Sequence, residues 1–142
     1  MTKNNALINI KGTQTIDGED FTTEIDVVGT IEETEKGFVI EYADYEYDPN
    51  GKTVVSLGKN NTVFMSKFGG EYSTEMYFEN GTRQNCEYAT PYGFITVGIY
   101  TNEVKIDLCS DGGRAVLDYS IDFNTGHAAK NLLEMTVSVT SK

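Results

Sequence analysis

Residues 104–123, Val-Lys-Ile-Asp-Leu-Cys-Ser-Asp-Gly-Gly-Arg-Ala-Val-Leu-Asp-Tyr-Ser-Ile-Asp-Phe, decide the fold. Val104, Ile106 and Leu108 alternate with Glu103, Lys105 and Asp107. After Asp111-Gly112 the pattern resumes, with Ala115, Leu117, Tyr119, Ile121 and Phe123 against Arg114, Asp118 and Asp122. Successive side chains of a strand point to opposite faces, so this is the pattern of two strands with one apolar and one wet face. Asp-Gly between them tolerates positive φ and suits a tight hairpin.

The same rhythm extends in both directions. Phe21, Thr23, Ile25, Val27, Gly29 and Ile31 share one face, opposite Thr22, Glu24, Asp26 and Thr30. Ile95, Val97 and Ile99 alternate with Thr96 and Gly98, and Leu133, Met135, Val137 and Val139 with Glu134, Thr136 and Ser138. Turn pairs such as Asp17-Gly18, Lys36-Gly37, Asn50-Gly51, Gly69-Gly70 and Asn80-Gly81 punctuate the runs. Strands are predicted near 4–16, 21–34, 37–46, 52–58, 62–68, 71–79, 82–90, 93–101, 103–109, 113–123 and 131–140. The sole helical candidate is a short turn within Thr125–Leu133. So many short-linked strands would leave sticky edges as a flat sheet. An all-β, antiparallel, up-and-down closed barrel of about 8–11 strands is expected.

At 142 residues the chain is read as a single β-barrel domain, 1–142. A chain of this size buries roughly 68–70% of its unfolded surface, enough for a core without staples. With 22 acids against 11 bases the net charge is −11. That field repels phosphate backbones and anionic lipid surfaces, so neither nucleic acid nor membrane is expected as a partner. No basic-then-apolar leader and no spanning apolar run is read, and the expected compartment is the cytoplasm. Cys86 and Cys109 form no C-x-x-C motif and fall on opposite strand faces by alternation, so they are expected to be free thiols.

Motifs for catalysis are missing. A zinc or Ser-His-Asp site would have to be built on the one histidine, His127. Neither G-x-G-x-x-G nor G-K-[ST] occurs. Glu46, Asp48, Asn50 and Gly51 imitate the start of a calcium loop, but position twelve is Leu57, not the bidentate Glu. Asp48-Pro49-Asn50-Gly51 reads instead as a turn. No enzyme activity, metal or cofactor is expected.

The tyrosines are more suggestive. Alternation places Tyr88 and Tyr119 on interior faces. Tyr92 sits at a strand end, and Tyr42 follows an apolar run and precedes Asp44, a candidate polar contact. Thr90-Pro91-Tyr92-Gly93 is expected to be a tight turn. Tyr42, Tyr88, Tyr92 and Tyr119 are therefore the candidate ligand-binding residues, since apolar walls with a few hydroxyls suit small molecules.

Met76-x-Phe78-x-x-Gly81, Tyr88-x-Thr90-Pro91-Tyr92-Gly93, Thr101, Gly113 and Tyr119 resemble the YwiB-like family of uncharacterised bacterial proteins. Gly29, the run Phe38–Asp44 and Lys67-Phe68-Gly69 extend the resemblance over nearly the whole chain. The family usually carries Arg where Lys67 stands, and often Asn where Glu134 stands. The resemblance implies a calycin-type, lipocalin-like barrel and no established activity. The expected function is a non-catalytic barrel that binds a small, partly apolar molecule. The alternative is a packed structural or regulatory interaction module that uses its acidic surface. An open interior favours the first, and a filled one the second.

Overall fold

The structure, a computed structural model, describes residues 3–44, 49–69, 72–90, 93–123 and 128–141, excepting the side chains of 72, 88–90, 123 and 141. Ten strands follow one another: β1 Lys3–Ile16, β2 Glu19–Thr34, β3 Gly37–Ala43, β4 Lys52–Gly58, β5 Thr62–Gly69, β6 Tyr72–Glu79, β7 Arg83–Thr90, β8 Gly93–Cys109, β9 Gly112–Phe123 and β10 Ala128–Ser141. All ladders are antiparallel, in the order β6-β5-β4-β3-β2-β1-β10-β9-β8-β7. This is a meander that the β1–β10 ladder, Asn5↔Ser141 to Thr15↔Lys130, turns back on itself. Asp17 (φ 52°) and Gly18 (φ 80°) make the left-handed pair that a two-residue hairpin needs.

Closure is nearly complete. Among the described residues β6 and β7 share no ladder. The seam is held otherwise. The Cys86 thiol donates to the Glu75 carbonyl at 2.9 Å. At the hairpin turn, Gly81 N–H donates to the Thr101 carbonyl at 2.8 Å, Thr101 N–H to the Thr82 carbonyl at 3.0 Å, and Val104 N–H to Asn80 Oδ1 at 2.6 Å.

The core lies inside the barrel. Ile8, Ile40, Val55, Val63, Phe78 and Ile99 are fully buried, each on the inward parity of its strand. Burial of one such side chain is worth about 1.5–3 kcal/mol. Gly29 lets β2 and β3 close in: a Cβ there would lie 2.9 Å from Ile8 Cδ1 and 3.0 Å from Tyr42 Cβ.

Four local expectations are corrected. The spans 93–101 and 103–109 are one strand, β8, with a bulge between Thr101 and Glu103. Asn102 is the extra residue, so inward parity passes from Val97, Ile99 and Thr101 to Val104. The span 37–46 ends as a strand at Ala43, and 45–46 lie outside the described residues. The helical candidate is not helical in its described part, because Ala128–Leu133 pairs with Asp122–Leu117 of β9. Phe21 keeps the parity of buried Ile31 but is 53% exposed, because β3 reaches only Gly29–Thr34 of β2 and leaves the β2 start overhanging. No helix is long and apolar enough to cross a membrane among the described residues.

Candidate functional site

The inward parity of β3, β4, β5 and β6 is apolar at one end and polar at the other. On β4 it runs Leu57, Val55, Thr53, and on β5 Val63, Met65, Lys67. Register then lines up Tyr42, Thr53, Lys67 and Thr74 as successive neighbours across four strands. Asp44 follows the last residue of β3, where its backbone N–H donates to the Gly51 carbonyl at 2.9 Å. Its carboxylate accepts from Thr53 Oγ1 at 2.7 Å and from Lys67 Nζ at 3.1 Å. The side chains of Asp44 and Lys67 are 8% and 20% exposed, and Thr53 is fully buried. The result is a partly buried ion pair with a hydroxyl bonded to its anion, at the end of the barrel where β3 leads into β4.

A second polar row crosses the other wall. Thr101, Tyr119, Asn131 and Gln14 are register neighbours on β8, β9, β10 and β1. Gln14 Nε2 donates to Asn131 Oδ1 at 3.2 Å, and Asn131 Nδ2 to the Ala129 carbonyl at 3.2 Å. Thr101 Oγ1 is buried and has no hydrogen-bond partner among the described residues. Between the two walls the described side chains come close together. A gap of about 10 Å³ is enclosed by Val55, Leu57, Val63 and Met65 on one side and Ala115, Leu117, Leu133 and Met135 on the other. That is at the lower limit for one water.

Of the expected tyrosines, Tyr42 is buried in the polar row next to Thr53. Tyr119 is half-buried on β9, its ring edge-on to Phe78 with centroids 4.9 Å apart. They approach the interior from different walls. Tyr88 lies on β7, its backbone paired with Ile95, and its side chain is outside the described residues. Tyr92, His127, Glu46 and Asp48 are also outside them, as are Pro91 and Tyr92 of the expected tight turn. Gly93, at its end, has φ 117°, a left-handed conformation that favours glycine. Thr53 and Lys67 were not among the expected site residues. The signal was present: Lys67 continues the inward series Val63, Met65, and a cation on an apolar face demands a partner.

Cys86 is buried and Cys109 exposed, both as free thiols. Burial pushes the Cys86 thiol up, with the nearby Glu87 and Glu75 carboxylates adding to it. This thiol is therefore a poor nucleophile at neutral pH. On the outer face the Arg83 guanidinium grips Asp122 with two bonds, which raises its own pKa and lowers that of the carboxyl. No group of three or more His, Cys, Asp or Glu that could hold a metal occurs among the described residues.

No curated protein matches this sequence. The crystal structure of the ywiB protein from Bacillus subtilis matches with a TM-score of 0.82 at 18% identity, covering 98% of this chain and 94% of that one. At that identity the likeness speaks for the fold: the same barrel from end to end. A family model described as a domain of unknown function, DUF1934, matches residues 8–135, and the chain belongs to that family.

Proposed function

We propose that the protein is a non-catalytic, cytoplasmic binding module of calycin type that takes a small, partly apolar molecule at the polar end of its barrel. Tyr42 supplies an apolar wall, with Asp44, Thr53 and Lys67 as polar contacts. Tyr88 and Tyr92 are the further wall candidates, whereas Tyr119 packs edge-on against Phe78 away from this end. The observation that carries this reading is the Asp44–Lys67 pair, bonded to Thr53 and largely withdrawn from water. A withdrawn pair is seldom more stable than well-packed apolar residues in its place, so stability alone does not account for it. A few polar groups set beside an apolar wall are what small-molecule sites usually offer. The narrow gap between Val55, Leu57, Val63 and Met65 and the opposite wall supports placing the ligand at the end layer.

Native mass spectrometry of the protein purified from cells tests the reading. The wild type should carry a small-molecule adduct that is lost in a Lys67→Met, Asp44→Leu variant of unchanged or higher melting temperature. An adduct-free wild type under gentle ionisation would refute it. The packed middle favours a second reading, an interaction module with a merely structural interior, and that same negative result would leave it standing.

A further inference from the structure

The outward parity of the same four strands carries a different feature. Val39, Ser56, Phe64 and Tyr77 are register neighbours across β3, β4, β5 and β6. Ser56 is small between larger neighbours, and the next outward pair on β3 and β4 is Gly37 with Gly58. The face is hollowed there into a groove of about 520 Å³. Small-molecule pockets commonly span roughly 300–1,000 Å³. Phe64, 41% exposed, and Tyr77 form its aromatic wall.

Charge at the groove runs against the charge of the chain. The protein carries 22 acids and 11 bases, yet none of the residues lining the groove is acidic, and Lys36 and Lys59 both are among them. The two lysines belong to different turns, which a hydrogen bond from Lys59 N–H to the Lys36 carbonyl ties together at 2.9 Å. Two cations thus arise from directly bonded backbone positions. Neither makes an ion pair among the described residues. The nearby Glu79 carboxylate accepts the Tyr77 hydroxyl at 2.9 Å. Gly58 keeps the floor open, since a Cβ there would lie 2.7 Å from Thr62 Oγ1 and 2.8 Å from Asn60 Oδ1.

We infer that this outer groove is a binding site for a small amphipathic anion, with a planar apolar body over Ser56 against Phe64 and Tyr77 and an acidic group at Lys36 and Lys59. The site is independent of the barrel-end reading. It lies at the other end of β3 and on the opposite face of the sheet.

Two fluorescent probes test it: 8-anilinonaphthalene-1-sulfonate, and neutral N-phenyl-1-naphthylamine as its uncharged counterpart. The chain has no Trp to interfere. The sulfonate should bind the native protein at one saturable site. Lys36→Glu with Lys59→Glu should weaken it about tenfold and leave the neutral probe within about twofold. Ser56→Leu should weaken both probes, and Phe64→Ala replaces it should Ser56→Leu lower the melting temperature. Asp44 and Lys67 variants should leave sulfonate binding unchanged, which separates this site from the barrel end. The inference is overturned by an absence of saturable sulfonate binding, or by affinity indifferent to the charge reversal or to the groove substitutions.

Discussion

The middle of the barrel and its polar end are built on the same strands, one or two inward positions apart, yet they obey different physics. In the middle, Val55 and Val63 meet the far wall with a gap of about 10 Å³. At the end, Thr53 and Lys67 occupy the equivalent inward positions and hold Asp44. The first arrangement converts buried area into stability. The second withdraws a charged pair from water, a cost that its mutual attraction and hydrogen bonds have to offset. The apolar middle is therefore the place where packing contributes most to stability, and the end is where the proposed ligand contacts lie.

Substitutions can break that comparison. The largest loss is expected in the middle: Phe78→Ala empties a fully buried ring site and removes the partner of Tyr119, which should cost about 3–5 kcal/mol in urea unfolding. A loss under about 1 kcal/mol would mean that the middle is not close-packed.

At the end, single and double substitutions should diverge. Lys67→Ala leaves a largely buried carboxylate with its hydroxyl donor but without this cation, and should cost about 2 kcal/mol, less than for a fully buried pair because Lys67 is 20% exposed. Replacing both partners, Asp44→Leu with Lys67→Met, should be neutral or stabilising. If the double substitution is worse than either single one, the pair is a structural keystone and the contrast with the middle fails.

A smaller gain is expected at Thr101, the polar residue closest in character to the middle. Thr101→Val keeps the branched shape and removes a buried hydroxyl without a partner among the described residues. Chemical denaturation should show the variant more stable by about 1 kcal/mol. Destabilisation of that size would reveal an ordered water or other partner at the hydroxyl.

The smallest effect concerns pH. The folded state raises the Cys86 pKa, chiefly by burial. Its stabilising contribution is full below the unfolded thiol range of about 8.5 and is lost as pH rises through the higher folded value. Melting temperature should therefore fall faster above pH 8.5 in the wild type than in Cys86→Ala. Native alkylation at pH 8 should modify exposed Cys109 well before Cys86. Equal rates would place Cys86 in contact with solvent and sharpen the seam between β6 and β7 into an opening.

Most of the barrel was legible because alternation and turn chemistry are local. Asp17-Gly18 was readable as a hairpin because its left-handed conformations belong to those two residues. Errors came where a neighbour decided. The bulge at Asn102 was read as a break between strands because the parity change is visible in the sequence, whereas the bonds of Asn80 and the 80–82 turn to Thr101 and Val104 on either side of it are not. Phe21 kept the inward parity and lost its burial because β3 is too short to reach it. At the candidate site, Tyr42 and Asp44 were legible from their place at the end of an apolar run. Lys67 was noticed only through the resemblance, although its parity already pointed inward.

The sequence by itself determined that the chain is all-β, that it meanders, which face of most strands is apolar, and that its surface is strongly acidic. These follow from a period of two, from glycine-bearing turns and from simple charge counts, none of which needs a distant partner. Only the tertiary structure decided that the ring closes through β1 and β10, that Val55 and Val63 meet Leu117 and Met135 across a gap of about 10 Å³, that Asp44 meets a lysine 23 residues away, and that Lys36 and Lys59 arise side by side. Each of those depends on which strands become neighbours and how far each extends. That is a property of register, which period-two alternation leaves free to shift by any even number of residues.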